Sequence, residues 1–127
     1  MSDLICPLFD AALTAAVGRP LVWLHGEIKT PPFSTGARVE AGFLLRRLQR
    51  GESLTMPHAR PMRTIGPRCL ELRIRDEEHN WRVFCRTDLD AVLILGVHDK
   101  KTSRVPPHVL ATCRARAQRY DRESLGS

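Results

Sequence analysis

The chain is a basic protein of 127 residues with a formal net charge of +6 and a pI near 9.8. Its length suits one compact domain and excludes two domains of ordinary size. It contains no apolar run long enough to span a membrane, and no basic segment precedes its first apolar stretch. We therefore expect a cytoplasmic protein without a membrane partner.

Arginine dominates the basic residues. Of the 20 lysines and arginines, only Lys29, Lys100 and Lys101 are lysine, which leaves 17 arginines. Arginine holds phosphate or carboxylate groups through paired hydrogen bonds and stacks on bases, which lysine does poorly. A coding bias towards arginine explains this choice equally well, but it does not explain the net charge. The charge predicts a nucleic acid or an acidic protein as the partner.

The cysteines do not show the spacing of a zinc site. They are Cys6, Cys69, Cys85 and Cys113, without any C-x-x-C pair. We therefore expect no metal site and no cofactor. Cys69 and Cys85 fall on neighbouring predicted strands. Because cytoplasmic thiols stay reduced, we interpret them as small core residues rather than as a disulfide.

Hydrophobic periodicity and breaker residues divide the chain into helices and strands. The predicted elements, in chain order, are a helix over 7–17, a strand over 21–28, a helix from Ser34 to about Arg50, a loop over 51–64, strands over 69–75, 81–87 and 91–98, and a helix from about Pro106 to Tyr120. This order predicts an α+β fold, in which helices pack on a small antiparallel sheet.

The last three predicted strands are joined by short polar turns, so they form a three-stranded meander, and the strand over 21–28 completes the sheet. We expect three units along the chain. Residues 1–19 are a helical N-terminal extension, residues 20–121 are the folded domain, and residues 122–127 are a flexible tail.

Side chains on the first two strands of the meander alternate between apolar and charged. The apolar set predicts the core: Leu70, Leu72, Ile74, Trp81, Val83 and Cys85. The opposite set predicts one open face, with three further residues at its rim: Glu71, Arg73, Arg75, Arg82, Phe84 and Arg86, then His98, Lys100 and Lys101. Fixed cations beside an aromatic ring suit a single-stranded nucleic acid, with phosphates on arginine and a base on Phe84. A solvated face with Glu71 paired to its neighbours is the alternative.

Several of these segments, taken together, resemble the RelE/ParE toxin superfamily and, within it, the HigB-type branch, which includes phage-derived proteins. The segments are Leu21–Thr30, the helix around Ala37–Leu48, Gly66–Cys69 with Glu71–Ile74, Trp81-Arg82, Arg86, and Lys100–Thr102 followed by Pro106. The resemblance covers roughly residues 20–121. It implies a small sheet wrapped by helices.

The resemblance also implies a function. Members of this superfamily are toxins of type II toxin–antitoxin pairs, and the better-known ones are metal-independent endoribonucleases that cut mRNA in the ribosomal A site. The 2′-OH of the message attacks the adjacent phosphate. Their antitoxins often carry a helix-turn-helix. Other branches poison DNA gyrase without acting as enzymes, and a simple basic RNA-binding module is a third interpretation.

Matching the family motifs residue by residue implies roles for five basic residues. Arg73 matches the strand arginine of the L-R motif, and Arg82 matches the arginine that holds the scissile phosphate. Lys101 matches the basic residue that steadies the transition state. Arg68 and Arg86 match positions typical of the HigB-type branch.

The sequence departs from the family pattern at three places. Cys85 replaces a usual tyrosine, Leu70 replaces a frequent histidine, and no tyrosine lies near Lys101. Either the nuclease chemistry is weak or another group carries the proton. Cleavage needs a group that titrates near neutral pH, and histidine is the natural candidate. The candidates are His98, which we prefer, then Glu71 or His108.

Overall fold

The computed structural model describes residues 18–102 and 104–126, and it has the predicted α+β fold. Within these residues a five-stranded sheet lies between two helices. The elements are β1 (Leu21–Trp23), α1 (Thr35–Gln49), β2 (Ala59–Pro61), β3 (Cys69–Asp76), β4 (His79–Thr87), β5 (Val92–Asp99) and α2 (Pro107–Gly126). The order of strands across the sheet is β1-β5-β4-β3-β2.

The three strands of the predicted meander are present, but they form the middle of a larger and mixed sheet. β3 pairs with β4, and β4 with β5, in antiparallel orientation. β1 runs parallel to β5, and β2 lies antiparallel at the other edge. The prediction of a purely antiparallel sheet was therefore wrong at β1. The prediction of a loop over 51–64, which rested on its two prolines and little periodicity, was wrong at β2, because a strand of three residues is too short to show alternation.

Helix α1 covers one face of the sheet. The Ser34 hydroxyl accepts a hydrogen bond from the Ala37 amide at 3.0 Å and caps the helix. The helix buries the apolar stripe Ala37, Ala41, Leu44, Leu45 and Leu48. The stripe packs on the alternate strand residues that we predicted as core, including Leu72, Ile74, Trp81 and Val83. We call this side of the sheet the α1 face.

Helix α2 covers much of the opposite side, which we call the α2 face. Cys113 and Ala117 of the helix pack against Phe84, Leu93 and Leu95 of the sheet, all three of which are fully buried. The prediction of an open face was therefore wrong along this part of the sheet. Phe84 cannot stack on a base from this position, because the apolar core between α2 and the sheet encloses its ring.

A β-bulge interrupts the pairing of β4 with β5. Cys85 is opposite Ile94, but Phe84 is opposite Gly96, so Leu95 is an extra residue on β5. The bulge changes the face of every later residue on this strand. Val97 packs against the core of the α1 face, and His98 lies opposite Arg82 on the α2 face.

The remaining expectations concern the chain ends and the cysteines. The predicted helix over 7–17 lies outside the described residues. Helix α2 continues to Gly126, although we predicted its end near Tyr120 and a flexible tail from residue 122. Cys69, Cys85 and Cys113 are free and buried, in agreement with their interpretation as core residues. Neither helix of the described part is long and apolar enough to cross a membrane.

Candidate functional site

Outside the apolar core that α2 covers, the α2 face carries a buried carboxylate surrounded by arginines. Glu71 of β3 is fully buried, and its Oε1 lies 3.8 Å from Nε of Arg60, 3.8 Å from Nε of Arg73 and 3.7 Å from Nε of Arg82. The sheet register explains this arrangement, because Arg60 is opposite Glu71 and Arg82 is opposite Arg73. We call these four residues the arginine–glutamate cluster.

Some buried polar atoms of the cluster lack a hydrogen-bond partner within the described part of the chain. Among the described residues, both carboxylate oxygens of Glu71 and Nε of Arg82 are buried without a hydrogen-bond partner. A buried polar atom without a partner costs about 1–3 kcal/mol. Burial lowers the pKa of the Arg82 guanidinium, and the Glu71 carboxylate opposes this shift. Three guanidinium groups around one carboxylate leave an excess of positive charge, so the cluster favours an anionic ligand.

A groove of about 1140 Å³ adjoins the cluster, between β2 and the start of α2. Four cationic side chains line it: Arg60, Arg63, Lys100 and Arg104. Its apolar lining includes Met62, Val105, Pro106 and Leu110. Burial lowers the pKa of Lys100, and the positive charge of Arg82 lowers it further. We call this depression the cationic groove, and Arg60 belongs to both the groove and the cluster.

A second, smaller cavity lies next to His98, between β5 and α2. It has a volume of about 200 Å³, and its lining includes His25, His98 and His108. His98 comes from β5 and His108 from the first turn of α2. Burial is the main cause that lowers the pKa of His98, and the Asp99 carboxylate opposes it. The cavity brings together two of the three groups that we considered as proton carriers.

Arg86 does not join the cluster, so the prediction of one open face that carries Arg73, Arg82 and Arg86 together was wrong at Arg86. Its guanidinium donates hydrogen bonds to Asp88 and, through two nitrogens at 3.0 and 2.7 Å, to Asp121 of α2. The hydrogen bonds with Asp121 raise the pKa of Arg86. Arg68 also points to Asp88, at 3.3 Å. The ion pairs of Arg86 fasten α2 to the end of β4.

The two adjacent lysines lie on different sides of the sheet. Lys100 lines the cationic groove, whereas Nζ of Lys101 pairs with Asp99 at 2.9 Å. Asp99 also contacts His79, whose ring stacks on Trp81 of the α1 face. The prediction that Lys101 lies at the rim of the face with Arg73 and Arg82 was therefore wrong, whereas Lys100 does lie near these arginines.

The sequence matches a known protein family. A model of the family described as "Phage derived protein Gp49-like (DUF891)" matches residues 31–118. This range is more than half of the chain, and it includes the arginine–glutamate cluster, the cationic groove and both His98 and His108. The chain belongs to the Gp49-like family. No curated protein and no solved structure shows significant similarity to it.

Membership places this Gp49-like protein in the RelE/HigB-like toxin superfamily, as its sequence had suggested. The family is associated with toxins of toxin–antitoxin systems, so an antitoxin is implied as a partner. Within the described residues, no group of three or more histidine, cysteine, aspartate and glutamate side chains could hold a metal ion.

Sequence reasoning missed three residues of the Gp49-like site. Arg60, Arg63 and Arg104 line the cationic groove, yet all three lie in stretches that we interpreted as loops. The sequence does contain a signal, since Arg60 and Arg63 flank a proline and an apolar residue within a basic chain. Arg75, in contrast, is exposed on β3 and lines a separate cleft with Arg73 and Arg82.

Proposed function

We propose that this Gp49-like protein is a toxin of the HigB-type branch that cleaves mRNA on the ribosome without a metal ion. The observation that carries the proposal is the arginine–glutamate cluster, in which Arg82 keeps a buried and unpartnered Nε beside the excess cations of Arg60 and Arg73. This arrangement supports a site for a phosphodiester whose charge increases during reaction.

Arg82 is the preferred ligand of the scissile phosphate. In the pentavalent transition state the phosphate oxygens carry additional negative charge, and fixed cations in a partly dry site stabilise this state more than the ground state. Arg73 lies opposite Arg82 on β3, and Lys100 at the end of β5 is close enough for the charge of Arg82 to lower its pKa. Glu71 is covered by the arginines, so its proposed role is to hold them in position rather than to carry a proton.

His98 is the preferred acceptor of the 2′-OH proton. It lies opposite Arg82 on the adjacent strand, and directly opposed residues have Cβ atoms about 4.5–5.5 Å apart. Its lowered pKa favours the neutral imidazole near pH 7, which is the form that accepts a proton. A phosphate on Arg82 would therefore lie within reach of a suitable base.

The lining of the cationic groove supports dependence on the ribosome. None of the described residues that line it is aromatic, so it offers no ring on which a base could stack. The groove can hold the backbone of the message but has little means to select or orient a codon. The ribosome would supply this positioning, and correct positioning can account for much of the rate of such a reaction.

We further propose that the antitoxin is a helix-turn-helix protein that places an acidic segment over the cationic groove. Opposite charges steer the encounter of two proteins, and the effect decreases as salt rises. Association should therefore slow as salt rises from 50 to 500 mM. A rate that does not depend on salt, together with a complex in which the groove stays open, would show that the antitoxin inhibits by another route.

Primer extension on a message translated in a cell-free system tests the nuclease. Wild type should produce cuts in frame with the codons. Arg82→Ala should reduce cleavage about 100-fold to 1000-fold, as loss of one preorganised donor does elsewhere. Arg82→Lys keeps a cation beside Glu71 and separates a folding defect from a lost phosphate ligand. Arg38→Ala is the control, since Arg38 is an exposed arginine on α1, across the sheet.

Each outcome assigns the function. Equal cleavage by wild type and Arg82→Ala would remove Arg82 from the site. Binding of RNA without cuts would favour a basic RNA-binding module. Absence of cuts, together with DNA breaks trapped on gyrase, would transfer the function to the non-enzymatic inhibitors of the superfamily.

A further inference from the structure

We propose that His108 is a second catalytic residue, which donates a proton to the leaving 5′ oxygen while His98 accepts the proton of the attacking 2′-OH. This proposal rests on the endoribonuclease function proposed above. It assigns the cavity between β5 and α2, which is separate from the cationic groove, to the two proton transfers of the reaction.

The geometry brings the two imidazoles together from different elements. Both line the cavity of about 200 Å³, with His98 on β5 and His108 near the start of α2. Gly96 permits this approach, because a Cβ at this position would lie 3.1 Å from Nη1 of Arg116 and 3.3 Å from Sγ of Cys113. The N–H groups of Arg116 are engaged as well, since Nη1 donates a hydrogen bond to the Leu95 carbonyl at 2.7 Å.

Different surroundings suit the two histidines to different tasks. His98 is half-buried, and burial favours its neutral form, which can act as a base. His108 is exposed in the first turn of a 20-residue helix, whose dipole favours negative charge at this end. A leaving oxygen that develops negative charge beside His108 would be stabilised by the helix as it takes up the proton.

The step is balanced in atoms and charge. The 2′ oxygen forms a bond to phosphorus as its proton moves to His98, and the bond from phosphorus to the 5′ oxygen breaks as His108 transfers a proton to that oxygen. The products are a cyclic 2′,3′-phosphate and a 5′-OH. His98 ends protonated and His108 neutral, and exchange with water restores both. Neither an oxidant nor a co-reactant is required.

Charged groups on every neighbouring element affect His98. Asp99 follows it on β5, Arg82 lies opposite on β4, and His108 faces it from α2. The cavity is further lined by His25 from the segment after β1, and by Cys113 and Arg116 from α2. Positive charge on Arg82 and on His108 both favour the neutral form of His98. Protonation of His108 therefore helps to keep His98 ready to accept a proton.

The test is cleavage by the full chain on ribosomes programmed with a defined message, measured from pH 5 to 9. Wild type should give a bell-shaped profile. His98→Ala should lose the limb at low pH, His108→Ala should lose the limb at high pH, and each should be about 100-fold slower. Arg38→Ala is again the control, because Arg38 is exposed on α1, across the sheet, and it should keep the wild-type profile.

A message with sulfur in place of the 5′ oxygen at the cut site separates a catalytic role from a structural one. A thiolate leaves without a proton, so this message should restore His108→Ala to within about 10-fold of wild type but leave His98→Ala slow. Cleavage of ordinary RNA by His108→Ala at the wild-type rate, or failure of the sulfur message to rescue it, would overturn the pair while the nuclease stands. Absence of cleavage by wild type would overturn both.

Discussion

The two faces of the sheet are built from the same strands but carry different content. The α1 face is apolar where the helix covers it, and Leu72, Ile74, Trp81 and Val83 pack there. The α2 face changes character halfway. Phe84 marks the apolar half under α2, whereas Glu71 and its arginines form the other half.

Burial alone therefore does not distinguish core residues from residues of the candidate site. Glu71, Arg82 and Phe84 are all buried, yet the first two retain unpaired polar atoms and the third has none to pair. Stability requires the apolar half, whereas the charged half reduces it, because unpaired buried polar atoms cost free energy. We therefore expect substitutions in the apolar half to affect mainly folding, and substitutions in the charged half to affect mainly function.

The largest expected effect is on folding, at Phe84. Phe84→Ala should lower the free energy of unfolding by about 3–5 kcal/mol, because it removes a fully buried ring and leaves a cavity. Urea denaturation measures this change. Leu89→Ala is the control, since Leu89 is 98% exposed, and it should change stability by less than about 0.5 kcal/mol. A stable Phe84→Ala protein that binds RNA poorly would instead restore a base-stacking role for this residue.

A smaller effect on stability is expected at Glu71. Glu71→Gln keeps the shape of the side chain but leaves the guanidinium groups of Arg60, Arg73 and Arg82 without their shared carboxylate. We expect a loss of about 1–3 kcal/mol, since Arg60 and Arg73 are partly exposed and can turn towards water. Urea denaturation in low salt measures it. An equally stable variant would show that burying the carboxylate costs as much as its ion pairs return.

Lys100 and Lys101 are adjacent in the chain, and substituting each in turn tests which of them lies at the cationic groove. Lys100→Ala should weaken the binding of single-stranded RNA and reduce the slope of log K against log salt by about 0.7, as expected for one lost phosphate contact. Lys101→Ala should leave the slope unchanged and cost less than about 1 kcal/mol of stability, because its ion pair with Asp99 is exposed. Equal slopes for the two variants would contradict the assignment of Lys100 to the groove.

The smallest expected effect is a change in stability at acidic pH, at Asp76 on the α1 face. A hydrogen bond from the Ser34 amide is the main cause that lowers the pKa of Asp76 from 3.8 to about 2. A lowered folded-state pKa stabilises the protein above the ordinary value, and this contribution disappears as the pH falls towards 2. Asp76→Asn should therefore show a shallower loss of stability between pH 4 and 2. Urea midpoints across this pH range measure the change. If the variant lost stability with pH as steeply as wild type, Asp76 would not be a source of the acid sensitivity.

Much of the fold followed from the sequence because its signals are local. Alternation identified Leu72, Ile74, Trp81 and Val83 as core, and the periodicity of α1 identified its buried stripe. β2 could not be identified in this way, since three residues ending in a proline give no period. The burial of Phe84 was missed, although its face was predicted correctly, because alternation shows that two sets of residues differ but not that both are covered.

The candidate site was harder to predict because it depends on pairings between distant residues. Glu71, Arg73 and Arg82 were placed on one face correctly, as the register confirms. Arg60 joins them only because β2 pairs with β3, and Arg86 leaves them only because Asp121 lies on the covering helix. Lys101 was chosen over Lys100 by motif alone, and motifs do not record which side of a sheet a residue faces.

The bulge at Leu95 decides which face of the sheet carries His98. If β5 paired regularly with β4 from Ile94 onwards, Val97 would be opposite Arg82, and His98 would be opposite Trp81 on the apolar α1 face. The extra residue restores His98 to the same face as Arg82. Deleting Leu95 would therefore remove a buried side chain from the core of the α2 face, but it would leave His98 opposite Arg82.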